Sequence, residues 1–264
     1  MPRRIAQWIG KTIIHYLETP TQRYAPFIAP DPEILSSRLM PGDILLIEGN
    51  TRLSATIKFL TQSTWSHAAL YTGASAECGQ SGNEPNVLIE ARAGAGVVAA
   101  PLSKYAHFNT RICRPIGLSA EERQKVTAYA KARLGMQYDT RQIIDLARYL
   151  FPYPPVPVFF RRRMLAIGSG DPTKAICSAL IAQAFESIRY PILPEQVEGA
   201  KYGIAPFVQS ETEHIRKHGL YTPRDFDISP YFAVIKPAID GDFDYRTLRW
   251  EPGAPVSTPE SGGT

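Results

Sequence analysis

Hydrophobic residues recur at two spacings along this chain, and together the spacings predict an α+β fold. Spacings of three and four residues, typical of amphipathic helices, mark 3–18, 52–62, 119–134, 142–150 and 176–188. Apolar runs of strand length mark 44–47, 67–71, 87–91, 96–100 and 231–235, and the alternating segment 109–114 predicts a further strand. Strands with one short helix come first, then helices, then a final strand. This order favours a mostly antiparallel sheet packed against helices over a doubly wound fold.

The same pattern divides the chain into one central domain and its flanking segments. An amphipathic helix is predicted in 1–20 and a proline-containing linker in 21–40, followed by the domain at 41–237. Within the domain, 151–175 is a long insertion rich in proline and aromatic residues, either a surface loop or a lid or lipid-facing loop. Residues 238–264 are predicted to form a mostly disordered tail.

Composition and charge exclude several classes of protein. The 264 residues are 44% hydrophobic with a net charge of +4, which is globular and too weakly basic to indicate nucleic-acid binding. Neither a signal peptide nor an apolar run of about 18 residues is evident, so we expect a cytoplasmic protein. Membrane association through 3–18 and 151–163 is the alternative, because a basic helix with an apolar face binds lipid surfaces.

The three cysteines leave room for one reactive thiol. Cys78, Cys113 and Cys177 are too few for a disulfide framework and lack the spacing of a zinc site, so no metal or cofactor is expected. Cys177 lies in the first turn of the predicted helix 176–188, where the helix dipole stabilises a thiolate. The backbone N–H groups of Ser178 and Ala179 could hold an oxyanion there. The alternative interpretation is a buried cysteine acting as a small hydrophobe.

Two polar residues lie in otherwise apolar strands, where burial is costly unless they are paired. His67 begins the strand 67–71, and Glu90 interrupts the strand 87–91. If the strands are neighbours, Glu90 can accept the ring N–H of His67 and fix its tautomer. The alternative for His67 is a structural histidine bonded to backbone. A thiol nucleophile needs such an oriented base, so these residues complete a plausible site with Cys177.

Five segments carry a resemblance to a known family when they are taken in order. They are Pro41–Leu46, Ser66–Tyr71, Leu88–Ala91, Leu134–Asp139 and Ile176–Ile181. This series resembles the circularly permuted, NlpC-type, papain-like enzymes of the YiiX/YebB group, with lecithin retinol acyltransferase as a more distant relative. In that group the histidine strand precedes the cysteine helix. The N-terminal extension and the insertion 151–175 depart from its shortest members.

The resemblance implies roles for particular residues. It implies His67 as base, Cys177 as nucleophile and Glu90 as the third polar residue. Asp43 is either an alternative partner or a turn residue that caps its strand. Tyr138 and Asp139 match the family's G-x-x-Y-D segment, and we interpret them as structural support beside the site.

Three functions follow from these predictions. The first is a thiol hydrolase that cleaves an amide or peptide bond through a thioester on Cys177. The second is a lipid acyl hydrolase or acyltransferase at a membrane surface. It is suggested by the basic N-terminal helix and by the aromatic insertion, which contains three consecutive arginines at 161–163. The third is a binding module on the same fold without catalysis.

Overall fold

The structure is a computed structural model and describes residues 15–21, 26, 31–92, 94–137, 176–193 and 221–236. The helices bounded within these ranges are α1 (Pro32–Arg38), α2 (Arg52–Thr61), α3 (Ala120–Lys131), α4 (Ile176–Glu186) and α5 (Pro223–Ile228). The strands are β1 (Ile44–Ile47), β2 (His67–Tyr71), β3 (Gln80–Ser81), β4 (Glu84–Arg92), β5 (Gly96–Pro101), β6 (Thr110–Pro115) and β7 (Phe232–Ile235).

The strands form one antiparallel sheet around β1. The order is β3-β4-β2-β1-β6-β7, and β5 pairs with β4 through a tight hairpin. Each pairing between these strands is antiparallel. The predicted α+β class with an antiparallel sheet is therefore confirmed.

Both faces of the sheet are covered, which explains why β1 is apolar at all four positions. Ile44 and Leu46 contribute to a core beneath α3 and α4, here called the helical face. Leu45 and Ile47 contribute to a second core that includes residues of α1 and of a 3-10 turn at Leu102–Tyr105, here called the second face. Because strand side chains alternate, a residue's neighbours along the strand show which face it occupies.

One helix lies where the sequence predicted a linker. Within 21–40, α1 begins after Asp31, whose side chain accepts the Glu33 N–H at 2.8 Å, and Pro32 occupies its first turn. Leu35 is fully buried against the second face. Seven residues are too few to display helical periodicity, so the pattern could not reveal this element. Between β2 and β4, the chain forms a 3-10 turn at Ala76–Cys78 and the short strand β3, neither of which the sequence pattern predicted.

Several predicted segments lie outside the described residues. They are 3–14 of the N-terminal helix, the helix at 142–150, the insertion 151–175 and the tail 238–264. Residues 15–17 are helical, and Leu17 is buried. Among the helices that the structure describes, none combines the length and apolarity needed to cross a bilayer.

Candidate active site

The sheet opens between β2 and β4 at the end where His67 lies. The two strands pair at Leu70–Ile89 and Tyr71–Leu88, and the pairing does not continue toward the start of β2. On its other side, β2 stays paired with β1 as far as His67, which lies opposite Ile47. His67 is therefore paired with β1 on one side, and on the other side it is not paired with β4.

His67 and Glu90 meet on the second face of the sheet. Ala68 and Leu70 belong to the helical face, so His67 points to the opposite side. Glu90 lies between Ile89 and Ala91, which also belong to the helical face. The continued β2–β4 register makes His67 and Glu90 diagonal neighbours, within reach of long side chains. Their Nε2 and Oε2 atoms are 2.6 Å apart.

The Glu90 carboxylate is fully buried and has two further donors. The Lys104 ammonium donates to Oε1, and the Tyr105 hydroxyl donates to Oε2. Both residues lie in the 3-10 turn that directly follows β5, the strand paired with Glu90 through Val98. Burial alone would raise the pKa of Glu90, but the hydrogen bonds and charges of His67 and Lys104 hold it far below its usual range.

Cys177 reaches the opening between β2 and β4 from the helical face. It lies in the first turn of α4, which packs on β2 and β4 and has Leu180, Ile181 and Phe185 fully buried. The thiol is buried beside the His67 ring, and the Ala68 N–H and Ser178 hydroxyl also lie near the sulfur. Burial alone would raise the pKa of Cys177, yet the His67 charge and these hydrogen bonds lower it.

The pKa of His67 shifts in the opposite direction to that of Cys177. Burial would lower the pKa of His67, but the Cys177 thiolate and Glu90 together raise it to about 10. Because Nε2 is bonded to Glu90, Nδ1 is the ring nitrogen left for the sulfur. A thiol with a lowered pKa beside an imidazole with a raised pKa favours a thiolate–imidazolium pair.

Of the other predicted site residues, Ser178 lies beside Cys177, whereas Asp43 lies away from it. Asp43 precedes β1 at the end opposite Ile47, and its carboxylate accepts the Met40 N–H and two N–H groups of Arg114. Ser178 is fully buried next to Cys177, with its Oγ 3.9 Å from the sulfur. Tyr138 and Asp139 lie outside the described residues.

Lys104 and Tyr105 were not predicted from the sequence. No periodicity or motif singles them out, because their proximity to Glu90 depends on the β4–β5 hairpin and the turn after it. The remaining cysteines, Cys78 and Cys113, are buried elsewhere in the core. Burial and the nearby Asp227 charge raise the pKa of Cys113 to about 12, which keeps that thiol protonated near neutral pH. Across the residues that the structure describes, no three His, Cys, Asp or Glu side chains are grouped as metal ligands.

One family of known proteins matches part of this chain. Residues 38–150 match the model of a family described as permuted papain-like amidase enzymes, the YaeF/YiiX or C92 peptidase family. The match contains His67 and Glu90 and ends before Cys177. The predicted resemblance to the YiiX-like, permuted papain-like group is thereby confirmed, as is the fold class that it implies.

The chain was also compared with solved structures and with curated proteins. Among solved structures, the chain is similar to yiiX from Escherichia coli O157:H7, described as a metalloprotein, at 19% identity and a TM-score of 0.43. That similarity covers 79% of this chain and 97% of the other. No curated protein matches the sequence. At the level of reaction class, the family match supports a cysteine hydrolase of the amidase type.

Proposed function

We propose that this protein is a thiol hydrolase that cleaves an amide bond through an acyl-enzyme on Cys177. The observation that carries the proposal is the buried contact of the Cys177 sulfur with a histidine whose other nitrogen is bonded to Glu90. A buried carboxylate, a partly buried imidazole and a buried thiol are each costly alone, and their contact offsets that cost. The matched amidase family supports the same reaction class.

In the proposed reaction, the Cys177 thiolate attacks the substrate carbonyl carbon. The negative charge moves to the carbonyl oxygen, where the free N–H groups in the first turn of α4, including those of Ser178 and Ala179, can donate to it. The C–N bond then breaks, the amine leaves with the proton carried by His67, and a thioester remains on Cys177.

Deacylation reverses the proton transfers. His67, now neutral, accepts a proton from water, which attacks the thioester and releases the acid and the thiolate. Glu90 keeps Nε2 protonated throughout, so Nδ1 always faces the reacting atoms. An amine or alcohol in place of water would make the same site a transferase.

Trapping the thioester tests this proposal. The protein would be mixed with a panel of N-acyl anilides and fatty-acyl nitrophenyl esters, quenched in acid and examined by intact mass spectrometry. We expect a hydroxylamine-labile acyl adduct on Cys177, with none in the C177A variant and slower formation in H67N. The C113A variant, which alters a buried thiol outside the site, serves as control and should acylate normally.

Two results would change the proposal. Turnover of the panel by C177A at the wild-type rate would contradict a thioester on Cys177. Acylation by fatty-acyl esters with no anilide cleavage would replace the amidase by the lipid acyl hydrolase.

A further inference from the structure

The Glu90 carboxylate binds two side chains that the proposed mechanism does not use. Oε1 accepts from the Lys104 ammonium, and Oε2 accepts from both His67 and the Tyr105 hydroxyl. The Lys104 side chain is 30% exposed, whereas Glu90 is fully buried. The two carboxylate oxygens therefore have different partners: a cation on one side and the base with a phenol on the other.

Lys104 balances the charge of the buried groups around Glu90. In the reactive state, the thiolate and Glu90 carry two negative charges against the single positive charge of His67. A buried group with a net charge is expensive, and a partly buried cation beside it reduces that cost. The Lys104 ammonium brings the four groups to neutrality. Burial lowers the pKa of Lys104, and the Glu90 charge opposes that effect.

The other charged groups near Lys104 already have partners. Arg92, two residues beyond Glu90 on β4, is ion-paired with Glu18 at 3.6 Å. Both act on Lys104 in opposite directions, since Arg92 lowers its pKa and Glu18 raises it. Besides His67, Lys104 is thus the cation that hydrogen-bonds Glu90 directly among the described residues, and the Arg92–Glu18 pair adds little net charge.

Tyr105 acts on geometry rather than on charge. Its ring lies 6.1 Å from the His67 ring, and Phe108 packs edge-on against it at 5.9 Å. The buried hydroxyl and His67 share Oε2, so the phenol restrains the rotation of the Glu90 carboxylate.

We propose that Lys104 and Tyr105 are positioning residues of this site. Lys104 supplies the counter-charge that keeps Glu90 ionised while the Cys177–His67 ion pair exists, and Tyr105 fixes the carboxylate oxygen that faces His67. This proposal deepens the proposed function and rests on its assignment of Cys177 and His67.

The test measures how the alkylation of Cys177 by iodoacetamide depends on pH, which needs no substrate. Rates would be followed by peptide mass spectrometry from about pH 4 to about pH 10. Removing the Lys104 charge leaves the thiolate and Glu90 with the single positive charge of His67, so the buried cluster gains a net negative charge and thiolate formation moves to higher pH. We expect K104M and K104Q to raise the midpoint by about one pH unit. K104R keeps the positive charge, so its midpoint should stay close to that of the wild type.

Matched variants separate this role from a structural one. K125M removes an exposed lysine paired with Glu121 and should leave the midpoint unchanged. Y105F keeps the ring and should shift the midpoint by less than K104M, because a neutral donor is lost. Midpoints equal to wild type in the K104 variants and Y105F, with native circular dichroism, would overturn the inference. A wild-type Cys177 that titrates like an ordinary thiol would instead overturn the proposed function.

Discussion

Asp43 provides a prediction whose size can be worked from the structure. Its carboxylate is fully buried and accepts from Arg114 Nε at 3.0 Å, Arg114 Nη2 at 2.6 Å and the Met40 N–H at 2.8 Å. Arg123 Nη1 lies 3.8 Å away. The cluster is at the end of β1 remote from His67, so we expect D43N to reduce stability without altering the thiol.

The magnitude follows from what the substitution leaves behind. Removing one partner of a buried ion pair costs about 3–5 kcal/mol, because the other charge stays buried. The Arg114 and Arg123 side chains are 24% and 17% exposed, so water recovers part of that cost. The new amide oxygen can still accept the Met40 N–H. We therefore expect the free energy of unfolding to fall by roughly 2–3 kcal/mol.

Urea unfolding followed by circular dichroism measures this loss. The midpoint should fall by about 1 M, given slopes of about 1–3 kcal/mol per molar urea. The double variant D43N/R114M should lose less than the sum of the single variants, since each removes the same interaction. A loss below about 0.5 kcal/mol would refute the structural role. A shift in the pH midpoint for Cys177 alkylation would instead connect Asp43 to the site.

Two other predictions concern the site and its scaffold. E90Q keeps the shape of the side chain but removes the charge that raises the pKa of His67. The imidazolium that stabilises the thiolate is then less stable, so the alkylation midpoint of Cys177 should rise by about one pH unit. An unchanged midpoint would show that Glu90 does not act on the thiol. Gly96 has φ +77°, and an added Cβ would lie 2.2 Å from the Met136 carbonyl oxygen. G96A should therefore lower the urea midpoint more than G82A, where φ is +63° and nothing lies within 4 Å of the added atom; equal losses would show that backbone strain alone matters.

Physical cost explains which parts of the site the sequence could predict. A histidine or a glutamate in an apolar strand loses hydration when it is buried. The free-energy cost indicates that each side chain has a polar partner. His67 and Glu90 were therefore predicted to be partners, and their side chains are hydrogen-bonded. The helix start at Cys177 could be located because helical periodicity in α4 is strong.

The remaining features depend on tertiary geometry that local patterns do not encode. Lys104 reaches Glu90 only because the β4–β5 hairpin returns the chain to the same face, and a single lysine after a strand carries no signal of its own. The opening between β2 and β4, which gives the Cys177 sulfur access to His67, is a matter of strand register. The sequence favours a turn residue at Asp43 over a site residue, but it gives no sign of the arginine partners that the structure shows.

The central claim is that Cys177 is a thiolate held by His67, and differential alkylation tests it most directly. Native protein would be treated with iodoacetamide over a range of pH, and the modification of Cys177 and Cys113 compared by peptide mass spectrometry. We predict that Cys177 reacts with a midpoint below the ordinary thiol pKa and that H67A raises it, while Cys113, whose pKa burial raises to about 12, remains unmodified. A Cys177 that reacts no faster than Cys113, or whose midpoint is unaffected by H67A, would contradict the account.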